Sequence, residues 1–168
     1  HVLTPLFAKL SAMSEHIDSQ QIDIMLSAFS IATTPPEALR PIQMLPHFDS
    51  PADNQYALVH YLCDRHHGGT SIYRHKALGF ERITTARLAA YRSTIKQQAL
   101  AEKLHQNPGY ISGNTKLFEQ IFSVQAKMNR AVLYPSNVLH SGNIRPITGL
   151  SPCPRQGRLT ISSFIKLS

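Results

Sequence analysis

Two adjacent prolines, Pro35 and Pro36, divide the sequence into two segments of different character. Proline ends a regular helix because it lacks a backbone N–H and its ring clashes with the preceding turn. Before the prolines, residues 3–31 place apolar side chains at steps of three and four, which predicts helix. These positions include Ile22, Met25, Leu26 and Phe29. We therefore expect a helical support over residues 1–34, followed by a β-roll core over residues 41–167.

The second segment has the texture of short strands separated by turns. Residues 56–64 and 70–75 are rich in aromatic and β-branched side chains, and Gly68 and Gly69 lie between them, which predicts a hairpin. Residues 84–106 are rich in Ala and Gln and are predicted to be helical. This order favours a mainly β fold with flanking helices, of the α+β class, built as an antiparallel double-sheet roll.

The size and composition of the chain indicate one folded domain. It has 168 residues, of which 42% are hydrophobic and 16% are charged, values typical of a single folded domain spanning residues 1–168. No apolar run approaches the length of a membrane-spanning helix, so no membrane association is expected. The first residues, HVLTPLFAKL, lack the layout of a secretory signal. The two cysteines, Cys63 and Cys153, do not form a disulfide framework, which favours a cytoplasmic location.

The net charge of +7 favours anionic ligands. The basic residues are scattered along the chain and form no nucleic-acid-binding motif, so a nucleic-acid partner is not expected. The sequence gives no indication of the oligomeric state.

Residues 45–51, LPHFDSP, place His47 and Asp49 two positions apart. Prolines and an Asp-Ser pair are ordinary turn residues, so the stretch alone is compatible with a simple turn. However, residues i and i+2 of a strand point the same way, and a strand end can therefore aim both side chains at one metal ion. Two histidines and one carboxylate form the ligand set of non-haem iron(II) oxygenases. Phe48 is then expected to face the other way, into packing.

A third ligand and an anion-binding cation lie far along the chain. His140, in VLHSGN, is a candidate third ligand, with a buried histidine bonded to backbone as the alternative. On the last predicted strand, Arg158 and Thr160 share one face, while Leu159 and Ile161 share the other. Because the opposite face is apolar, we expect Arg158 to point inward rather than to be a solvated edge residue. Its planar guanidinium suits a dicarboxylate ligand, and Thr160 can donate to the same carboxylate.

The H-x-D pair, the Tyr-Leu strand, the Gly-Gly turn, the distal His and the R-x-T strand together resemble the iron(II)- and 2-oxoglutarate-dependent dioxygenases. The likeness is to the prolyl-hydroxylase-like branch, and within it to small bacterial members, and it covers residues 41–167. The resemblance implies a double-stranded β-helix core of the jelly-roll or cupin-like kind. It also implies that His47, Asp49 and His140 bind Fe(II) and form the catalytic centre.

The resemblance further assigns a co-substrate site. Arg158 would pair with the distal carboxylate of 2-oxoglutarate, and Thr160 would assist it. Tyr61 matches a tyrosine that hydrogen-bonds that carboxylate in prolyl hydroxylases, and Tyr73 is expected to line the pocket. The implied reaction consumes dioxygen, releases succinate and carbon dioxide, and hydroxylates an amino acid, a peptide or a small molecule. The interval from His140 to Arg158 is longer than in prolyl hydroxylases, which implies an added loop near the site.

Three alternatives remain open from the sequence. The domain can be a catalytically idle jelly roll that binds an anionic partner. It can also be a sugar-binding or isomerase-type roll with a different metal. A second group of potential metal ligands lies at the predicted hairpin tip and next to it, and its location there favours a solvated turn over a metal site. Its members are Asp64, His66, His67 and His75.

Overall fold

The computed structural model describes residues 22–167 of the chain. The strands in this range are β1 (Ile22–Ile31), β2 (Gln55–Tyr61), β3 (Gly69–His75), β4 (Phe118–Gln125), β5 (Ala131–Pro135), β6 (His140–Gly142) and β7 (Leu159–Leu167). The α-helices are α1 (Thr85–Ala101) and α2 (Pro146–Gly149). Short 3-10 helices are formed by Pro36–Ala38, Pro41–Met44, Arg65–His67 and Leu104–Gln106.

The strands form two antiparallel sheets. The first sheet has the order β1-β7-β2-β5, and the second has the order β4-β3-β6. An isolated antiparallel bridge joins His47 to His140, so the H-x-D segment continues the second sheet beyond β6. The predicted class, mainly β with flanking helices, is confirmed for the described residues.

The polar face of β7 points into the space between the sheets. Its register with β2 places Phe164 opposite Ala57 and Thr160 opposite Tyr61. Paired residues of neighbouring strands share a face of the sheet. Arg158, Thr160, Ser162 and Phe164 all line the same pocket. The inward orientation predicted for Arg158 is therefore found in the structure.

Helix α1 covers the outer face of the second sheet. Its one buried residue, Tyr91, contacts the His75 ring edge-on, with ring centroids 5.5 Å apart. The helix predicted over residues 84–106 is thus confirmed, with its last part forming a 3-10 turn. Beneath it lies an apolar cluster that contains Tyr73, Ile83, Tyr91, Ile111, Phe118 and Leu139. This cluster packs against β3 and β6 on the face of the sheet opposite the pocket and supports both strands.

The predicted helical support over residues 1–34 is wrong where the structure describes it. Ile22–Ile31 form the edge strand β1, which pairs along its length with β7. A bulge between Ile24 and Leu26 breaks the two-residue alternation, so the apolar spacing resembles that of a helix. The rest of the predicted helix, residues 3–21, lies outside the described residues.

The predicted hairpin around Gly68 and Gly69 is also wrong, because β2 and β3 belong to different sheets. The intervening residues carry the chain from one sheet to the other. Gly68 has a φ of 104°, and a Cβ on it would lie 1.6 Å from the Asn143 carbonyl oxygen. The glycine is therefore required by a positive φ and by close backbone approach.

None of the helices among residues 22–167 is both long and apolar enough to cross a lipid bilayer. Cys63 is buried and Cys153 is exposed, and both are free thiols.

Candidate metal centre

Backbone hydrogen bonds fix the H-x-D motif against the start of β6. The N–H of His47 donates to the carbonyl of His140, and the N–H of His140 donates back, both at 2.8 Å. The N–H of Asp49 donates to the carbonyl of Ser136, also at 2.8 Å. Phe48, between the two, packs against the cluster beneath α1, as predicted. The motif thus behaves as a short strand end that aims two polar side chains in one direction.

His47, Asp49 and His140 form a group that can hold a metal ion. Nε2 of His47 lies 3.8 Å from one Asp49 carboxylate oxygen, and Nε2 of His140 lies 3.6 Å from the other. The candidate ligand atoms all lie within 4.8 Å of one another. Among residues 22–167, no other cluster of histidine, cysteine and carboxylate side chains meets this condition. The His140 side chain is 6% exposed and that of His47 is 52% exposed, so the group spans the pocket from its interior to its rim.

The protonation states of the two histidines favour metal binding. Nδ1 of His140 lies 3.0 Å from the Val138 carbonyl. Because a carbonyl can only accept, Nδ1 carries the proton and the Nε2 lone pair is left free for a metal. Burial lowers the pKa of His140 to about 4. Burial is the main cause that lowers the pKa of His47, and the nearby His140 ring lowers it further, whereas the Asp49 carboxylate raises it. Burial raises the pKa of Asp49, an effect that His47 opposes.

We expect the His140 imidazole of the metal-free protein to stay neutral until the pH falls to about 4. The shift is downward because burial disfavours the charged ring, so protonation requires a lower pH than the usual midpoint of about 6.5. The measurement is an NMR titration of the imidazole carbon and nitrogen shifts. A midpoint near that of a free imidazole in the same buffer would show that the ring is solvated and not held in the pocket.

A pocket of about 230 Å³ extends from the histidines to Arg158. Among the described residues that line the pocket, Asp49 carries the one carboxylate. Tyr134 and Thr160 also line it. The remaining lining side chains are mostly small or hydroxyl-bearing. The volume is below that of pockets that enclose drug-sized ligands, so the space suits a small molecule.

Arg158 is a buried cation with little compensation from the protein. Its residue is 9% exposed, and one terminal nitrogen donates to the Gly69 carbonyl at 2.9 Å. Its Nε is buried without a hydrogen-bond partner, and none of the ion pairs among residues 22–167 includes this side chain. The guanidinium carbon lies 5.6 Å from the centre of the Tyr61 ring. A buried unpaired charge is costly, so this arrangement calls for an anionic ligand.

The hydroxyl groups near Arg158 differ in how firmly they are engaged. The Tyr61 hydroxyl donates to Oγ1 of Thr70 at 2.6 Å, and Tyr61 is fully buried. The Thr160 hydroxyl is directed at the Ser30 carbonyl at 3.4 Å, which is long for such a bond. Burial raises the pKa of Tyr61, although Thr70 and Arg158 oppose it. Thr160 can therefore turn to a ligand at little cost, whereas Tyr61 holds a short internal bond.

A model for a family of unknown function, DUF6445, matches residues 2–165. The chain belongs to this family. No curated protein matches it. In this DUF6445 member, all three candidate metal ligands and the buried Arg158 lie inside the matched region.

The structure changes the roles of two tyrosines of this DUF6445 chain. Tyr73, predicted to line the pocket, lies on the opposite face of β3 and packs in the cluster against Phe118. Tyr134 was missed: it is 8% exposed, lines the pocket, and its ring centroid lies 4.6 Å from that of His140. It lies on β5 opposite Ala57, which faces the pocket, and this pairing is visible only in the structure.

The alternative ligand group near the predicted hairpin tip is not assembled. Asp64 pairs with the His67 ring at 2.9 Å and with the N–H of His66. The other His67 ring nitrogen lies 3.0 Å from the Gln156 carbonyl. His75 lies apart, buried beneath α1 with Nε2 2.7 Å from the Gln98 side-chain oxygen. The side chains of Asp64, His67 and His75 therefore have structural roles in the turn and beneath α1.

Proposed function

We propose that the protein is an iron(II)- and 2-oxoglutarate-dependent oxygenase. The observation that carries the proposal is the presence, in one small pocket, of a His-Asp-His group and a buried arginine without a counter-ion. The first feature suits a metal, and the second suits a dicarboxylate ligand. Together they meet the two requirements of this enzyme class.

The donor set fits iron(II). His47, Asp49 and His140 supply two neutral imidazoles and one carboxylate, the facial ligand set of non-haem iron oxygenases. The Val138 carbonyl accepts from Nδ1 of His140 and so orients the ring, as hydrogen-bond acceptors behind ligand histidines do in metal sites. These three residues would hold the metal and leave its remaining positions to other ligands.

The opposite end of the pocket fits a carboxylate. Arg158 is held in place through the Gly69 carbonyl, while its Nε has no partner. Thr160, two positions on, shares its face and has only a long hydrogen bond to release. These groups would bind the distal carboxylate of 2-oxoglutarate and align the molecule along the pocket.

The strand order supports a double-stranded β-helix. The chain passes repeatedly between a sheet ordered β1-β7-β2-β5 and a sheet ordered β4-β3-β6. The H-x-D segment adds a further edge beside β6 through its bridge with His140. In a jelly roll, two antiparallel sheets face each other and are built from strands distant in sequence, as here. This arrangement brings His47 and His140 together.

The residues of the chain would bind, orient and shield the reactants. When bound, iron(II) and 2-oxoglutarate would activate dioxygen, of which one oxygen atom would enter the co-substrate as it yields succinate and carbon dioxide, and the other would enter the substrate as a hydroxyl group. His47, Asp49 and His140 would hold the metal, and Arg158 would hold the co-substrate by its distal carboxylate. The exposed edge of His47 marks the side by which an amino acid, peptide or small-molecule substrate would approach.

The test is to mix the purified protein with iron(II) and 2-oxoglutarate without oxygen. We expect a visible charge-transfer absorption band, followed by succinate release when oxygen is admitted. Glutarate is the matched control, because it keeps both carboxylates but lacks the keto oxygen needed to chelate the metal. No band with 2-oxoglutarate, or the same band with glutarate, would contradict the proposal. A catalytically idle binding domain would give neither the band nor succinate.

A further inference from the structure

We infer that Thr70, rather than Tyr61, presents its hydroxyl to the distal carboxylate of the co-substrate, and that Tyr61 acts through Thr70. This inference rests on the proposed function. It departs from the direct role that the resemblance to prolyl hydroxylases implies for Tyr61. Four features of the structure carry it.

The Tyr61 hydroxyl is already engaged. It is a single donor, and it donates to Oγ1 of Thr70 at 2.6 Å inside the protein. Tyr61 has no exposed surface and does not line the pocket. A direct bond to a ligand would require the loss of this short internal bond. Tyr61 is therefore placed behind the pocket wall.

Thr70 forms part of that wall. It is 3% exposed, lines the pocket, and lies opposite Gly142 in the register of β3 with β6. His140, opposite Ile72, shares this face of the sheet. The Thr70 side chain consequently faces the same space as the candidate metal ligand.

The Thr70 hydroxyl has a proton to offer. Its oxygen accepts from Tyr61, and its own O–H has no acceptor among residues 22–167. A hydroxyl can accept and donate at once, so Thr70 can pass a hydrogen bond from Tyr61 to a ligand. Successive hydrogen bonds polarise one another, which makes the terminal O–H a better donor to an anion.

Thr70 lies next to the residue that anchors Arg158. The carbonyl of Gly69, its chain neighbour, accepts the hydrogen bond of the guanidinium at 2.9 Å. The Tyr61 ring lies 5.6 Å from the guanidinium carbon. Residues 69–70 thus position both the Thr70 hydroxyl and the Arg158 guanidinium, and both groups can donate to one carboxylate.

The experiment measures the dissociation constant of 2-oxoglutarate by calorimetry, using protein loaded with manganese(II), which binds the same kind of site without turnover. We expect Thr70→Val to weaken binding about tenfold or more, because it removes a hydrogen bond to a charged group. Tyr61→Phe should weaken it about two- to fivefold, because it removes only the polarising bond. The double variant should bind no more weakly than Thr70→Val alone.

Two further variants separate a binding role from a folding role. Thr70→Ser keeps the hydroxyl and should bind nearly as the wild type does. Ser71→Ala removes a buried hydroxyl that faces away, towards Ser123 on β4, and should leave the dissociation constant unchanged. If Thr70→Val does not fold, Thr70→Ala takes its place, because it removes the same hydroxyl and should weaken binding to a similar extent.

The outcomes distinguish this inference from the proposed function. Losses that multiply in the double variant, or a loss in Tyr61→Phe as large as in Thr70→Val, would show that Tyr61 contacts the ligand itself and would overturn the inference alone. Wild-type protein that binds manganese but no 2-oxoglutarate would remove the proposed function, and this inference with it.

Discussion

His140→Ala should abolish metal binding at the candidate centre while leaving the protein folded. His140 is the most buried of the three ligands, and its free Nε2 lies 3.6 Å from the Asp49 carboxylate. Loss of a group that only hydrogen-bonds to a metal ligand costs about 10- to 100-fold in metal affinity. Removal of a ligand should therefore cost more than about 100-fold. Titration with cobalt(II), followed by its visible absorption, measures both the affinity and the geometry of the site.

His60→Ala is the matched control for this variant. His60 lies on β2 with Nε2 2.9 Å from the Asn129 side chain, outside the pocket, so the cobalt affinity should stay at the wild-type value. Circular dichroism checks that both variants fold. Undiminished cobalt binding by folded His140→Ala would show that the three side chains do not bind a metal together.

The sequence predicts the centre of this fold better than its first described strand. The last strand shows a regular two-residue alternation, and its polar inward face is correctly placed by that pattern. In β1, the bulge adds Met25 between Ile24 and Leu26. The apolar residues Ile22, Met25 and Leu26 then fall at the spacing of a helix. The bulge thus gives this strand the apolar periodicity of a helix, and only its pairing with β7 shows that it is a strand.

The same limit explains the hairpin that does not form. Gly68 and Gly69 between two strand-like runs indicate a tight turn when considered locally. The Asn143 backbone packs against Gly68, and β3 pairs with β4 and β6 rather than with β2. A contact between segments this far apart in sequence leaves no local signal.

The candidate ligands were predictable because their side-chain types suit a metal or an anion and their positions along the strands place them on one face. His47 and Asp49 share a direction at spacing two, and Arg158 faces inward opposite an apolar face. Tyr73 and Tyr134 were assigned wrongly or missed because an aromatic residue on a strand suits either the core or a pocket. Which face of a strand is covered by α1 and which lines the pocket depends on tertiary packing.

Arg158→Gln should greatly weaken 2-oxoglutarate binding without changing metal affinity. Glutamine can still donate to the Gly69 carbonyl but carries no charge for the distal carboxylate. Loss of one member of a buried charge pair costs about 2–5 kcal/mol, or at least about 30-fold in affinity. Calorimetry with the manganese-loaded protein measures the 2-oxoglutarate and metal affinities separately.

Without ligand, Arg158→Gln should not destabilise the protein, although the same substitution weakens 2-oxoglutarate binding. Because the native guanidinium is buried with its Nε unpaired, removing the charge should leave the melting temperature unchanged or raise it. The increase in melting temperature that 2-oxoglutarate gives the wild type should disappear. Arg74→Gln is the matched control, since Arg74 is partly exposed and pairs with Glu81 and Glu119 away from the pocket. A variant that melts lower and still binds 2-oxoglutarate would show that Arg158 serves the fold and not a ligand.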